Sequence, residues 1–443
     1  MKLALAPGLL LIAEYLLFRL AGAGGPRFNR LDAAALLAGV ALLGAGLLSR
    51  RLLRRRRALH EGLALACASA ILCYGLAEAA ASFYAWRKAD SSSCFLFENS
   101  QRTVRFDPVL GFKLSRTPSR YARLVFGRPE YSGILRGNSL GLPDRDDFGP
   151  KRSSPGEYRV AVFGDSFTSA QYLKKNWPDA AEDLAARSGR PVKFLNFSVA
   201  GAGLANWRSA IRGLLEPGGF QLNAVVFAVY NDDLFRKFTF ADHSLHLEHR
   251  LGRCASWSPE ACPATAAEAD RLLASPGPRV ATAADFDLAL RTGVCPAGSP
   301  PALFRAELTA RAERLYRRLT GAERRPPPSD PQRLSLMDDI ARYVKDNDLK
   351  AHVFFLPEKD LFCAPSGRRT PLVADAMAFA ERLGATFTDA RVMPGPEKED
   401  CSRFFFAYDG HWNQHGSDRF AALALRTVEE GRAAQAPAPG AAP

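Results

Sequence analysis

Beyond residue 157 the chain alternates short apolar runs with amphipathic stretches. The runs at 160–163, 192–197, 224–230, 352–356 and 386–387 predict strands, and 177–187, 205–215, 334–345, 372–383 and 417–430 carry apolar residues at helical spacing. Strands and helices taking turns predict a parallel sheet covered on both faces, a three-layer α/β/α domain over 157–433. Ligands in such sheets bind beyond the carboxyl ends of the strands. Two segments break the rhythm. Residues 91–156 are rich in Ser, Arg, Pro and Gly and predict an irregular lead-in packed on the main domain; 238–331 reads as an insertion, a cap over the site. The tail, 434–443, contains only Ala, Pro, Gly and Gln and is expected to be disordered.

The front of the chain has a different pattern. Residues 3–20, 31–48 and 61–86 are nearly continuous apolar stretches, each close to the ~20 residues a helix needs to cross hydrocarbon. The run 50–57 between the second and third holds six arginines, whereas the first connection carries only Arg27 and Arg30. Positive charge stays on the cytoplasmic side, so residues 1–90 predict a three-helix inner-membrane anchor with everything after Trp86 outside, in the periplasm. A cleavable signal at the first stretch is the alternative; Glu14 and Arg19 within it count against this, and either version exports the C-terminal domain. Glu14 and Glu78 read as carboxylates facing a neighbouring helix.

Charge and cysteines refine this picture. The 443-residue chain carries a net +13, of which +7 precedes Ser91; the remaining +6 is modest, and no basic stripe interleaved with aromatics points to nucleic acid. A weak preference for an anionic wall polymer or lipid surface is compatible with it. Cys67 and Cys73 lie in the third apolar stretch. The other six, Cys94, Cys254, Cys262, Cys295, Cys363 and Cys401, fall in the exported part, where an even number favours disulfides. Cys254 and Cys262 are close enough for a local bridge; the other four allow three pairings, all open. His243, His246 and His249 have a spacing that could supply metal ligands, but they read better as a solvated polar stretch.

The first strand ends in Gly164-Asp165-Ser166, which would present a hydroxyl nucleophile just before a helix. A hydroxyl near its free pKa is a poor nucleophile and needs a base and an orienting acid; Asp409-Gly410-His411 supplies both, with His411 preferred to His415. Gly201 follows the second strand, where a missing side chain lets a backbone N–H approach the reacting oxygen. Asn231 follows the third and can offer an amide N–H. With the N–H of Ser166, three donors would form an oxyanion hole.

Taken in order, Gly164-Asp165-Ser166, Gly201 within 196–203, Asn231 in Tyr230-Asn231-Asp232, and Asp409-Gly410-His411-Trp412-Asn413 resemble the motif blocks of the SGNH hydrolase superfamily, the GDSL esterases and lipases. The segment 136–144 is similar to the one preceding the nucleophile in membrane-tethered bacterial members. The resemblance covers roughly 105–235 and 350–430 and implies an SGNH-type, flavodoxin-like sheet. Two positions depart from the pattern. Val229 stands where a glycine is common, and one residue rather than two separates Asp409 from His411. The Asp-x-His-Trp-Asn form resembles members acting on exported polysaccharides, including alginate O-acetyltransferase relatives. The resemblance therefore implies a serine esterase or O-acyltransferase working through acyl-Ser166 on an envelope glycan, or on a lipid ester, without cofactor or metal. A membrane acyl-donor partner is open. The alternative is a non-catalytic glycan-binding or assembly module of an envelope polysaccharide-modification system.

Overall fold

The structure, a computed structural model, describes residues 93–98, 103–125, 128–241, 251–273, 283–292, 330–363, 370–393, 401 and 403–433. The chain divides into two compact units, Met1–Ser93 with Thr292–Glu323 and Cys94–Arg291 with Arg324–Pro443; all described residues except Ser93 and Thr292 belong to the second. The apolar stretches expected to form the anchor, the histidines at 243, 246 and 249, and the tail lie outside the described residues. Among the described residues, no helix is long and apolar enough to cross a membrane.

The lead-in is not irregular. It forms β1 (Ser93–Phe97), β2 (Val104–Asp107), β3 (Gly111–Leu114), β4 (Ser119–Val125) and β5 (Arg128–Leu135), with sheet order β1-β4-β5 and a separate antiparallel pair β2-β3. β4 and β5 pair antiparallel, Ser119 opposite Leu135. β5 exposes Arg128, Pro129, Ser132 and Ile134, and β4 is mostly buried but interrupted by the half-buried Arg120 and Arg123, so no long apolar run marks either strand in the sequence.

The main domain follows as β6 (Tyr158–Phe163), α1 (Ser166–Ser169), α2 (Trp177–Arg187), β7 (Val192–Asn196), α3 (Leu204–Ala210), β8 (Ala224–Tyr230), β9 (Thr239–Phe240), β10 (Gly252–Arg253), α4 (Ala266–Leu273), α5 (Ala283–Thr292), α6 (Pro331–Asp346), β11 (Lys350–Leu356), α7 (Lys359–Phe362), α8 (Pro371–Leu383), β12 (Thr386–Asp389) and α9 (Gln414–Ala433). Local chemistry starts the helices. Pro331 and Pro371 occupy first helical positions, where a missing N–H costs nothing, behind the caps Asp330 and Thr370.

The central sheet runs β12-β11-β8-β6-β7 with every pairing parallel. Renumbered along the chain this is the 2-1-3-4-5 order of flavodoxin-like sheets, as expected. Alternation along β6 sorts the core: Ala161 and Phe163 pack with Trp207, Ile340 and Phe379 on one face, Val160 and Val162 with Trp177, Phe194 and Phe420 on the other. Three layers result, and the strand order reverses between β6 and β8, whose carboxyl ends flank the crevice. In the insertion, Cys254 and Cys262 form the local bridge, β9 pairs with β10, and the Leu251 side chain lies where a side chain on Gly201 would go.

A buried acidic patch joins the lead-in to α2. Asp144, Asp179 and Glu182 crowd around Arg145 and Lys193, and burial, partly offset by Arg145, pushes the Asp179 carboxyl up to about 7. The unfolded chain ionises this group near pH 4, so its contribution to stability is present at low pH and lost as pH rises towards 7. Asp179→Asn is therefore expected to flatten the fall in melting temperature between pH 5 and pH 8, read by thermal unfolding at both.

Candidate active site

The turn from β6 into α1 is built around close approach. A side chain on Gly164 would collide with the Thr168 hydroxyl, so only glycine fits. Asp165 caps α1, accepting from the N–H of Phe167 at 2.9 Å. The helix is a single turn, closed by Ala170 in the left-handed conformation (φ 38°), so its dipole contributes little. Ser166, its first residue, is half-buried at the carboxyl edge of the sheet.

Its partner comes from the other end of the chain. Oγ of Ser166 lies 2.8 Å from Nε2 of His411, and Nδ1 of His411 lies 2.5 Å from Oδ1 of Asp409, which also accepts from the His411 N–H at 3.0 Å. Burial works to raise the Asp409 carboxyl, but hydrogen bonds from His411 and Tyr131 outweigh it and hold the group below the usual carboxylate range. A carboxylate facing Nδ1 requires a proton there, which leaves the Nε2 lone pair pointing at the serine hydroxyl. The imidazole ring lies against Phe167 and Tyr172, at centroid distances of 4.9 and 4.8 Å.

The loop carrying this pair is pinched shut. A bridge joins Phe405 to Trp412, and the Phe406 N–H donates to the His411 carbonyl at 3.1 Å. Asn413 donates to the carbonyls of Arg403 and Phe405 and accepts from the N–H of Gly416, linking the loop to α9. Trp412 is buried against Phe420. Cys401, just upstream, is bonded to Cys363, one of the pairings left open by the sequence. His415 is exposed on the first turn of α9 with its ring against Phe404, and His411 alone of the two meets Ser166.

Gly201 and Asn231 stand at the same sheet edge as Ser166, beyond the ends of β7 and β8, the two neighbours of β6. Both have positive φ, 71° and 37°, a region open to glycine and tolerated by asparagine. One amide N–H of Asn231 is taken up by the Glu358 carboxylate at 3.0 Å, so the side chain expected to face the oxyanion is anchored to β11's following turn. A buried guanidinium ties the three turns together. Arg236 binds Asp165 at 3.0 Å, the Ala202 carbonyl at 3.1 Å and Asp232 at 2.9 Å, which adjoin Ser166, Gly201 and Asn231 in turn, and Asp233 at 2.6 Å. The sequence reading missed this residue; a lone arginine four positions past Asp232 carries no pattern of its own.

It also missed the lead-in's contribution. The second oxygen of Asp409 accepts from the Tyr131 hydroxyl at 2.7 Å and pairs with Arg123 at 2.5 Å, both on the β4-β5 hairpin. Glu130 accepts from the backbone N–H groups of Tyr408 and Asp409, at 2.7 and 3.2 Å.

Solved structures to which the chain is similar include the psychrotrophic esterase EstA from Pseudoalteromonas sp. inhibited by monoethylphosphonate (9% identity, 62% of this chain and 100% of that one, TM-score 0.32). Others are a lipase/acylhydrolase from Enterococcus faecalis (12%, 62% and 96%, TM-score 0.32) and AlinE4, an SGNH-hydrolase family esterase (12%, 63% and 98%, TM-score 0.28). These neighbours are esterases and lipases. No family model and no curated protein matches the chain.

Proposed function

We propose that the protein is an SGNH-type serine ester hydrolase or O-acyltransferase, and the observation that carries this reading is the continuous relay from Ser166 through His411 to Asp409. His411 takes the hydroxyl proton on Nε2 as Ser166 Oγ attacks the ester carbonyl. The charge that develops on the carbonyl oxygen is received by the N–H groups of Ser166 and Gly201 and an N–H of Asn231. The C–O bond then breaks, His411 returns the proton to the leaving alcohol, and an acyl-Ser166 ester remains. Water or an acceptor hydroxyl repeats the cycle in the second half, while Asp409 stays ionised and holds the tautomer.

Substrate and place belong to the same proposal. The apolar stretches at the front support an inner-membrane anchor with the domain in the periplasm, and the disulfides Cys254–Cys262 and Cys363–Cys401 suit an oxidising compartment. The Asp-x-His-Trp-Asn form supports an O-acylated envelope glycan as substrate, ahead of a lipid ester. Treatment with a fluorophosphonate followed by peptide mass spectrometry is expected to place a single adduct on Ser166. A folded protein that takes up no adduct, or takes it elsewhere, would overturn the serine mechanism.

A further inference from the structure

The structure assigns a positioning role to Arg123 and Tyr131, on the lead-in hairpin: they fix the carboxylate of Asp409 so that one oxygen is committed to them and the other to His411. This rests on the serine reading above and extends it to residues that no motif of the site contains. The division of labour is explicit in the contacts. Oδ2 receives the Tyr131 hydroxyl and the Arg123 guanidinium, while Oδ1 receives the two N–H groups of His411. A carboxylate so held cannot rotate without breaking two charge-assisted bonds, each stronger than a neutral one. Glu130, between them in sequence and 3.3 Å from Arg123, holds the backbone of the same loop through Tyr408 and Asp409.

Position alone is not the whole effect. Arg123 is a cation behind the acid, so it competes with the protonated imidazole for the same negative charge. Other groups around the relay are Tyr172, whose ring faces His411, and Lys359 on α7, which donates to the carbonyl of Phe406 at 3.1 Å. Glu358 faces Asn231 instead. Taking away the Arg123 charge therefore leaves Asp409 free to favour the charged relay, and the acid limb of the activity profile should move to higher pH.

The test uses the full chain with Arg123→Met, Arg123→Lys and Tyr131→Phe, assayed on a short-chain nitrophenyl ester. Arg123→Met is expected to lower kcat about 10- to 100-fold with KM nearly unchanged, the signature of an interaction that matters in the transition state rather than in binding. The acid limb of kcat/KM should rise by about half a pH unit or more, as removal of a nearby cation requires. Arg123→Lys should restore most of the limb's position, and Tyr131→Phe should lower kcat several-fold without moving it. All three should still take up fluorophosphonate at Ser166, more slowly. If labelling at Ser166 fails in the unaltered protein, the serine reading is at fault; if it persists while kcat and the acid limb of folded Arg123→Met match the unaltered protein, the positioning role is wrong. Should Arg123→Met not fold, Arg123→Lys and Tyr131→Phe decide: unchanged kcat in both rejects the proposal.

Discussion

Ser166→Ala and His411→Ala are each expected to lower ester turnover on the order of 10⁶-fold, because members of such a relay act as a unit and losing one loses nearly all of its contribution. Asp409→Asn is expected to cost about 10⁴-fold through the wrong imidazole tautomer. The surroundings of Asp409 make that outcome specific. Tyr131 and Arg123 both donate to Oδ2, so an asparagine there must point its carbonyl oxygen at them and its amide at His411. The amide can only donate, so Nδ1 must lose its proton, and Nε2, now protonated, points a hydrogen at Ser166. Steady-state rates on a nitrophenyl ester, with melting temperatures confirming folded variants, check the series. An Asp409→Asn enzyme within tenfold of the unaltered one would contradict this account of the carboxylate.

Arg236→Met is expected to be the most damaging single change for stability. Its guanidinium is nearly buried and is shared among Asp165, Asp232 and Asp233, the last entirely buried. Burial pushes the Asp233 carboxyl well above its ordinary range, against the pull of Arg236. Removing one partner of a buried ion pair leaves an uncompensated charge and typically costs about 3–5 kcal/mol, which in a domain of this size lowers the melting temperature by roughly 10 °C. Arg236→Met combined with Asp233→Asn should recover part of the loss, since the neutral amide no longer needs a counter-charge. A single variant that melts with the unaltered protein would show that the cluster carries no such dependence. Because the arginine bridges the turns bearing Ser166, Gly201 and Asn231, the surviving folded fraction should also turn over slowly.

What the sequence disclosed and what it hid divide along physical lines. β6, β8 and β11 are buried on both faces, so apolar residues dominate them and stand out as runs at 160–163, 224–230 and 353–356, with Arg159 and His352 as buried polar exceptions. Ser166, Asp409 and His411 could be singled out because serine chemistry would need fixed neighbours, glycine ahead of the serine and the Asp/His pair just before the last helix, and the structure brings the three side chains together. β4 and β5 were not legible, since Arg120 and Arg123 in β4 and Arg128, Glu130 and Ser132 in β5 break up their apolar residues. Nor was the bond from Tyr131 to Asp409, which joins residues 278 positions apart. Asn231-Asp232-Asp233 read as one element of a motif, but the arginine that all three turns depend on is meaningful only once folding brings them together. The local bridge Cys254–Cys262 followed from spacing, whereas Cys363–Cys401 needed the α7 turn and the site loop to be adjacent.

The alternation of strand and helix begins at residue 157, and the proposed catalytic unit begins earlier. Asp409 is held by side chains at 123, 130 and 131, so proteolytic trimming that removes β4 and β5 would spare every strand of the parallel sheet while stripping the acid of its supports. A fragment that keeps every contact on Asp409 must therefore begin upstream of Ser119, and one starting at Tyr158 would also strip Leu110, Phe112, Leu114 and Leu142 from the core.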